Sequence, residues 1–290
     1  MTTHAPTVVG VDGSSTALDA VRWAALDAAL HHSDLLLISS TLPPVDAVLP
    51  GSYYQALREQ ADSALIEAEA MARRTVSAEL DISTIVVSRS PIPMLIELSA
   101  TARMIVVGSR GIGVINRAIL GSVSAALASH TRAPLTVVRG WSDDAQRRSV
   151  VVGTDGSAAS TPALEIAFDE AAARGVGLTA VHAWSDADFA LVHATQGVAV
   201  FDWATRLGEA ERVLEKTLGE LRLKYPNVKV RRAVVRDRPV QALLDHAQAA
   251  QLVVVGSHGR GGFAGMLLGS TSRKVLHNAH NPVMIVPSHH

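Results

Sequence analysis

Short runs that are apolar at nearly every position alternate with longer stretches whose apolar residues recur every three or four positions. In the first half the short runs predict strands at Thr7–Val11, Leu35–Ser40, Ile82–Ser88, Met104–Gly108 and Leu135–Arg139. Helices are predicted near Ser15–His31, Tyr53–Leu80, Pro91–Ala102 and Ser122–Thr131. The second half repeats the order, with strands at Val150–Thr154, Gly177–Ala183, Lys229–Val235, Leu252–Gly256 and Val283–Pro287. A strand that is apolar throughout is covered on both faces, as in a parallel sheet flanked by helices. Regular alternation of strand and helix builds right-handed βαβ units and a doubly wound sheet. Leu65, Ala68, Ala72 and Val76 fall on one helical face, which is expected to pack on that sheet. The expected fold is α/β, with two tandem Rossmann-like domains, each built on a five-stranded parallel core.

The two halves are copies. TVVGVDGS at 7–14 returns as VVVGTDGS at 150–157, and MIVVGSRG at 104–111 as LVVVGSHG at 252–259. LGSVS at 120–124 returns as LGSTS at 268–272, and APLTVV at 133–138 as NPVMIV at 281–286. A period of about 145 residues is that of a duplicated domain and far exceeds a solenoid repeat. The polar stretch 140–149, with four charges, reads as the linker between a first domain at 1–140 and a second at 150–290. Leu135–Arg139 and Val283–Pro287 are apolar enough that an open edge there invites pairing, across domains or across subunits.

Composition narrows the classes. The chain has 290 residues and a formal net charge of -1, so no basic surplus points to nucleic acid. It has no cysteine, which excludes disulfides and thiol catalysis. No signal-peptide profile or membrane-length apolar run is present, so a cytoplasmic protein with no membrane partner is expected. His289 and His290 are given no function.

The candidate chemistry lies in two matching segments. Gly108, Ser109, Arg110 and Gly111 are followed, after nine intervening residues, by Gly121 and Ser122; Gly256, Ser257, His258 and Gly259 are followed at the same spacing by Gly269 and Ser270. Each segment follows a buried strand and precedes a helix, the place where open α/β sheets bind ligands. Glycines there let the backbone approach an anion and adopt positive φ, and successive N–H groups form a nest for phosphate oxygens. The free N–H groups of the following helix favour the same charge. One such loop is weak; two with equal spacing point to phosphate. Neither has the Gly-Lys-Ser/Thr ending of a Walker A loop.

These spacings, the leading V-V-G-x-D-G-S strand and the closing P-V/L-x-V-V segment resemble tandem-domain universal stress proteins of the ATP-binding class, of the actinobacterial and mycobacterial type. The resemblance covers nearly the whole chain. It implies an adenine-nucleotide alpha-hydrolase-like fold with ATP, and Mg²⁺ on its phosphates, across the strand ends of each half. It implies that Gly10 and Asp12, with Gly153 and Asp155, lie near the nucleoside, and that backbone around Ser40 and Ala183 contacts the base. It assigns the phosphates to Gly108, Ser109, Arg110, Gly111, Ile112, Gly113 and Val114, with Gly121, Ser122, Val123 and Ser124. In the second half the same roles fall to Gly256, Ser257, His258, Gly259, Arg260, Gly261 and Gly262, with Gly269, Ser270, Thr271 and Ser272. It also implies a homodimer and a regulatory protein partner.

Taken singly, Asp12 and Asp155 serve either a ligand or an Asx turn ahead of the next helix. Arg260 suits a phosphate, but its counterpart is Ile112, so the second half is expected to bind more strongly. His258 is replaced by Arg110 in the first half, which argues against a shared catalytic histidine. The twelve histidines show no metal-ligand spacing, and Ser122 and Ser270 lack a triad's partners. An ATP-binding stress or dormancy regulator therefore leads. A slow ATP hydrolase or nucleotide transferase, and a cyclic AMP receptor, are the alternatives.

Overall fold

The computed structural model describes residues 5–42, 51–77, 79–111, 120–140, 142–184, 203–259 and 268–288. The chain divides into two compact units, Met1–Ser142 with Leu276–Pro287, and Asp143–Val275 with Ser288–His290.

In the first unit β1 (Thr7–Gly10), β2 (Leu35–Ser40), β3 (Ile82–Val87), β4 (Met104–Gly108) and β5 (Leu135–Val138) form a parallel sheet in the order β3-β2-β1-β4-β5. The connecting helices are α1 (Ser15–Leu30), α2 (Gly51–Thr75), α3 (Pro91–Leu98) and α4 (Ser122–His130). From β1 the chain winds outward to β2 and β3, then crosses back to β4. The β1/β4 boundary is thus a topological switch point, where a crevice opens at the strand ends. The buried residues of α1 are mostly alanines, Ala17, Ala20, Ala24, Ala25 and Ala28, with Val21 and Trp23 as the bulky ones. At its start the Ser14 side chain accepts the Ala17 N–H at 3.2 Å, an N-cap.

In the second unit β6 (Ser149–Thr154), β7 (Leu178–Trp184), β8 (Val230–Arg236) and β9 (Ala250–Gly256) are parallel in the order β9-β6-β7-β8. Its helices are α5 (Thr161–Ala173), α6 (Trp203–Lys224), α7 (Pro239–Ala247) and α8 (Ser270–Asn278). The switch point recurs between β6 and β9. A short 3₁₀ helix, Asp143–Arg147, occupies the polar linker.

The last strand, β10 (Val283–Val286), runs antiparallel beside β5, with Val283 opposite Val137 and Ile285 opposite Leu135. All four residues of each strand are buried, so the apolar edge expected at β5 is covered. Just past β5, Gly140 has φ +60, and a Cβ there would lie 2.2 Å from the His280 carbonyl oxygen. Gly140→Ala should cost about 2–3 kcal/mol, from the left-handed backbone and the overpacking together. Thermal denaturation beside Gly208→Ala provides the check. A Cβ at Gly208, on α6, meets nothing within 4 Å, and that change should be neutral or stabilising.

Two helices end earlier than their periodicity predicts. Both ends carry a hydroxyl bonded to the preceding turn, which competes with the helical ladder. Thr75 donates to the Met71 carbonyl at 2.7 Å, and α2 stops there instead of at Leu80. Buried Ser99 donates to the Ile96 carbonyl at 2.6 Å and accepts the Arg132 N–H at 2.9 Å, and α3 stops at Leu98 instead of Ala102.

Candidate functional site

At each switch point an aspartate from the first strand of the repeat meets a glycine from the fourth-strand loop. Asp12 Oδ1 accepts the Ser14 N–H at 3.0 Å, and Asp155 Oδ1 accepts the Ser157 N–H at 2.9 Å and the Ser157 hydroxyl at 2.6 Å. These are Asx turns, and the glycine inside each has positive φ, +83 at Gly13 and +75 at Gly156. The other carboxylate oxygen faces the loop. A Cβ on Gly111 would lie 2.6 Å from Asp12 Oδ2, and one on Gly259 2.7 Å from Asp155 Oδ2. The structure corrects one expectation here: Gly108, Gly111, Gly121, Gly256, Gly259 and Gly269 are not left-handed. Glycine is required at 111 and 259 because the aspartate leaves no room for a side chain.

The loops are pinned on the helix side as well. A Cβ on Gly108 would lie 2.7 Å from the Thr16 carbonyl, and the Arg110 carbonyl accepts the Thr16 hydroxyl at 2.5 Å. The Gly121 N–H donates to the Ser109 carbonyl at 2.9 Å, and the Gly269 N–H to the Ser257 carbonyl at 2.7 Å. Helices α4 and α8 begin directly afterwards, and neither has an acidic residue in its first turn. Their leading N–H groups lack intrahelical partners and favour an anion. Ser122 and Ser270 are exposed at these positions, and Val123 and Thr271 are half-buried. Ser124 and Ser272 are buried and donate to the carbonyls of Gly108 and Gly256 at 2.9 and 2.6 Å. Their hydroxyls tie each helix to its strand end.

Gly10 and Gly153 make room for helices. Cβ atoms there would lie 3.4 Å from a Leu95 methyl and 3.1 Å from the Leu243 methyls, on α3 and α7. Ser40 ends β2, with its hydroxyl donating to the Arg89 carbonyl at 2.5 Å, and Ala183 is half-buried near the end of β7. Ile112, Gly113, Val114, Arg260, Gly261, Gly262, His289 and His290 lie outside the described residues.

The halves differ beside the loops. In the second, Ser257 Oγ accepts the Ser288 N–H at 3.1 Å and lies 3.1 Å from His258 Nδ1. In the first, Ser109 Oγ is buried with no hydrogen-bond partner, as are Arg110 Nε and Arg139 Nη2. Arg139 is held through Nη1, which donates to the carbonyls of His277 at 2.8 Å and Ala279 at 3.4 Å. Burial lowers the Arg139 pKa from the usual arginine value, and the nearby positive charge of Arg110 lowers it further. Sequence reasoning missed Arg139 because only the β4/β5 register brings it to Ser109.

Fold and site together define a duplicated α/β protein with an aspartate-backed glycine loop at each switch point. Residues 5–139 and 146–287 each match the model of the universal stress protein family, and the chain belongs to that family in tandem form. It is 40% identical to Universal stress protein Rv2005c of Mycobacterium tuberculosis over 96% of this chain and 95% of that one. A universal stress protein of Mycolicibacterium smegmatis is also 40% identical, over 96% of each chain. The crystal structure of a universal stress protein from Archaeoglobus fulgidus shares the fold, at 20% identity and a TM-score of 0.71, over 98% of this chain and 96% of that one. Among the described residues no helix is long and apolar enough to cross a membrane.

Proposed function

We propose that each half binds one adenine nucleotide, ATP with Mg²⁺ on its phosphates, and that occupancy, not turnover, is the output. One observation carries this reading. The same aspartate–glycine packing and the same helix N-terminus recur at both switch points, where α/β sheets take phosphorylated ligands. Loop N–H groups at 108–111 and 256–259, with the N-termini of α4 and α8, would hold the phosphates. Asp12 and Asp155 would hold the loops in shape and lie toward the ribose. Among the described residues Asp12 and Asp155 are the acidic residues shared by the two sites, and each spends one oxygen on its own turn, so a duplicated general base would have to be the remaining carboxylate oxygen. The working form would be a cytoplasmic homodimer, with a partner reading the nucleotide-bound state as a stress or dormancy regulator does.

Mass spectrometry of nucleotide released from denatured protein, followed by calorimetry with Mg²⁺, tests the reading. The expected result is adenine nucleotide at up to two per chain, with ATP preferred over cyclic AMP. Preference for cyclic AMP makes the chain a cyclic-nucleotide receptor, and no binding at all overturns the proposal. Single-turnover hydrolysis should stay below about 1 s⁻¹, the lower end of ordinary enzymes. Faster turnover that Asp12→Asn and Asp155→Asn abolish without loss of binding would favour the hydrolase.

A further inference from the structure

We propose that Thr154, Ser160 and His182 are positioning residues of the second half: they hold the Asp155 carboxylate for the sugar hydroxyls of the nucleotide, so that this half selects ribose over a deoxygenated sugar more sharply than the first. The proposal deepens the nucleotide reading and rests on it for the placing of Asp155 toward the ribose.

Thr154 ends β6, Ser160 stands directly before α5, and His182 lies opposite Thr154 on β7; all three are buried. Thr154 Oγ1 accepts the Gly156 N–H at 3.1 Å and lies 2.9 Å from Ser160 Oγ. The Ser160 hydroxyl donates to the Ser157 carbonyl at 2.8 Å. A hydroxyl has one proton and a carbonyl has none, so the directions are fixed and Thr154 donates to Ser160. The chain thus runs from the Gly156 N–H through two hydroxyls to the Ser157 carbonyl. It begins and ends inside the turn that follows Asp155. The same Ser157 gives its N–H and its hydroxyl to Asp155 Oδ1, at 2.9 and 2.6 Å. His182 Nδ1 donates to the Thr154 carbonyl at 3.0 Å and so holds the strand end from which the turn departs.

The first half cannot build this chain. The repeat and the strand register place Val11, Ala17 and Ser39 at the three positions, and the first two have no hydroxyl. The turn there leans the other way: the Ser14 and Thr16 hydroxyls donate to the Arg110 carbonyl at 3.3 and 2.5 Å. In the first half the turn serine therefore faces the glycine loop, and in the second it faces the aspartate. A carboxylate whose mount is already fixed pays little ordering cost when sugar hydroxyls arrive, and the saving appears as affinity for those hydroxyls. A site arranged to bond a hydroxyl also rejects the analogue that lacks it, because its own polar group is left unpaired. A less firmly mounted aspartate turns to water and tolerates the loss. Phosphate and base contacts do not pass through this chain, so its effect belongs to the sugar.

The test is calorimetry on the full chain carrying Gly111→Val, in which the second site alone is titrated, with ATP and with 2′,3′-dideoxy-ATP in the presence of Mg²⁺. ATP should bind more tightly than the dideoxy nucleotide by about tenfold or more. Thr154→Val should weaken ATP by about tenfold and leave the dideoxy nucleotide unchanged, and Thr154→Ser, which keeps the hydroxyl, should restore ATP binding. Circular dichroism confirms folding. Should Thr154→Val unfold, Thr154→Val with Ser160→Ala decides, since it installs the residues around which the first half already folds. In a chain carrying Gly259→Val, which keeps the first site, the preference for ribose should be smaller and Thr154→Val should change nothing. Equal weakening of both nucleotides would show a merely structural role and overturn the proposal. Unchanged ATP binding in Thr154→Val, or an equal ribose preference in the two halves, overturns it as well and leaves the nucleotide reading standing. If neither nucleotide binds the wild-type chain, the nucleotide reading falls and takes the proposal with it.

Discussion

Valine at Gly111 should lower nucleotide stoichiometry by one per chain, valine at Gly259 should do the same, and the double variant should bind none. A Cβ at either position would sit 2.6 or 2.7 Å from an aspartate oxygen, closer than van der Waals contact allows. The aspartate is poorly placed to yield, because its other oxygen is bound to the Ser14 N–H in one half and to the Ser157 N–H and hydroxyl in the other. The loop must move instead, and the N–H groups that would face phosphate move with it. A shift of this kind should weaken the altered site by at least about 100-fold, or about 2.7 kcal/mol. The extra bond at Asp155 makes Gly259→Val the more damaging change. Calorimetric titration with ATP and Mg²⁺ gives the count. Two intact sites in either folded single variant would show that the loops do not hold the nucleotide.

Removing the Arg103 side chain should destabilise the first unit by about 3 kcal/mol. Asp27 on α1 is fully buried and paired to Arg103, which also donates to the Thr7 hydroxyl at 3.1 and 3.2 Å. Breaking a buried pair strands a charge and typically costs 3–5 kcal/mol. The lower end applies here because His31 Nδ1 stays 3.7 Å from the Asp27 carboxylate. The melting temperature of Arg103→Ala should fall by roughly 6–12 °C for a domain of this size. Arg103→Met combined with Asp27→Leu should recover most of the loss, because an apolar pair of similar volume replaces the ionic one. A double variant no more stable than Arg103→Ala would mean that the guanidinium serves packing and not charge.

The strands were legible because uniformly buried β-branched runs such as Met104–Gly108 leave little choice of period. Helix ends were less legible, since Thr75 and Ser99 act through hydroxyl bonds that a periodicity does not register. The aspartate and glycine of each site were both named from the sequence, but their contact was not. Asp12 and Gly111 stand nearly a hundred residues apart, and only the β1/β4 pairing brings them together. The reason for glycine was misread in consequence: beside each site the left-handed glycines are Gly13 and Gly156, inside the turns, and Gly111 and Gly259 answer to space. Arg139 escaped for a similar reason. At the end of an apolar strand it looks like an ordinary solvated flank, and its neighbours Ser109 and His277 belong to distant segments.

The pairing of β10 with β5 sets a timetable for synthesis. Strand β5 leaves the ribosome about 145 residues before β10, which at roughly 5–20 residues per second is a wait of about 7–30 s. Throughout that interval the first unit can form its parallel sheet but ends in an unprotected hydrophobic border, open to a chaperone or to another nascent chain. Native completion of the first domain is therefore one of the last events in making the protein.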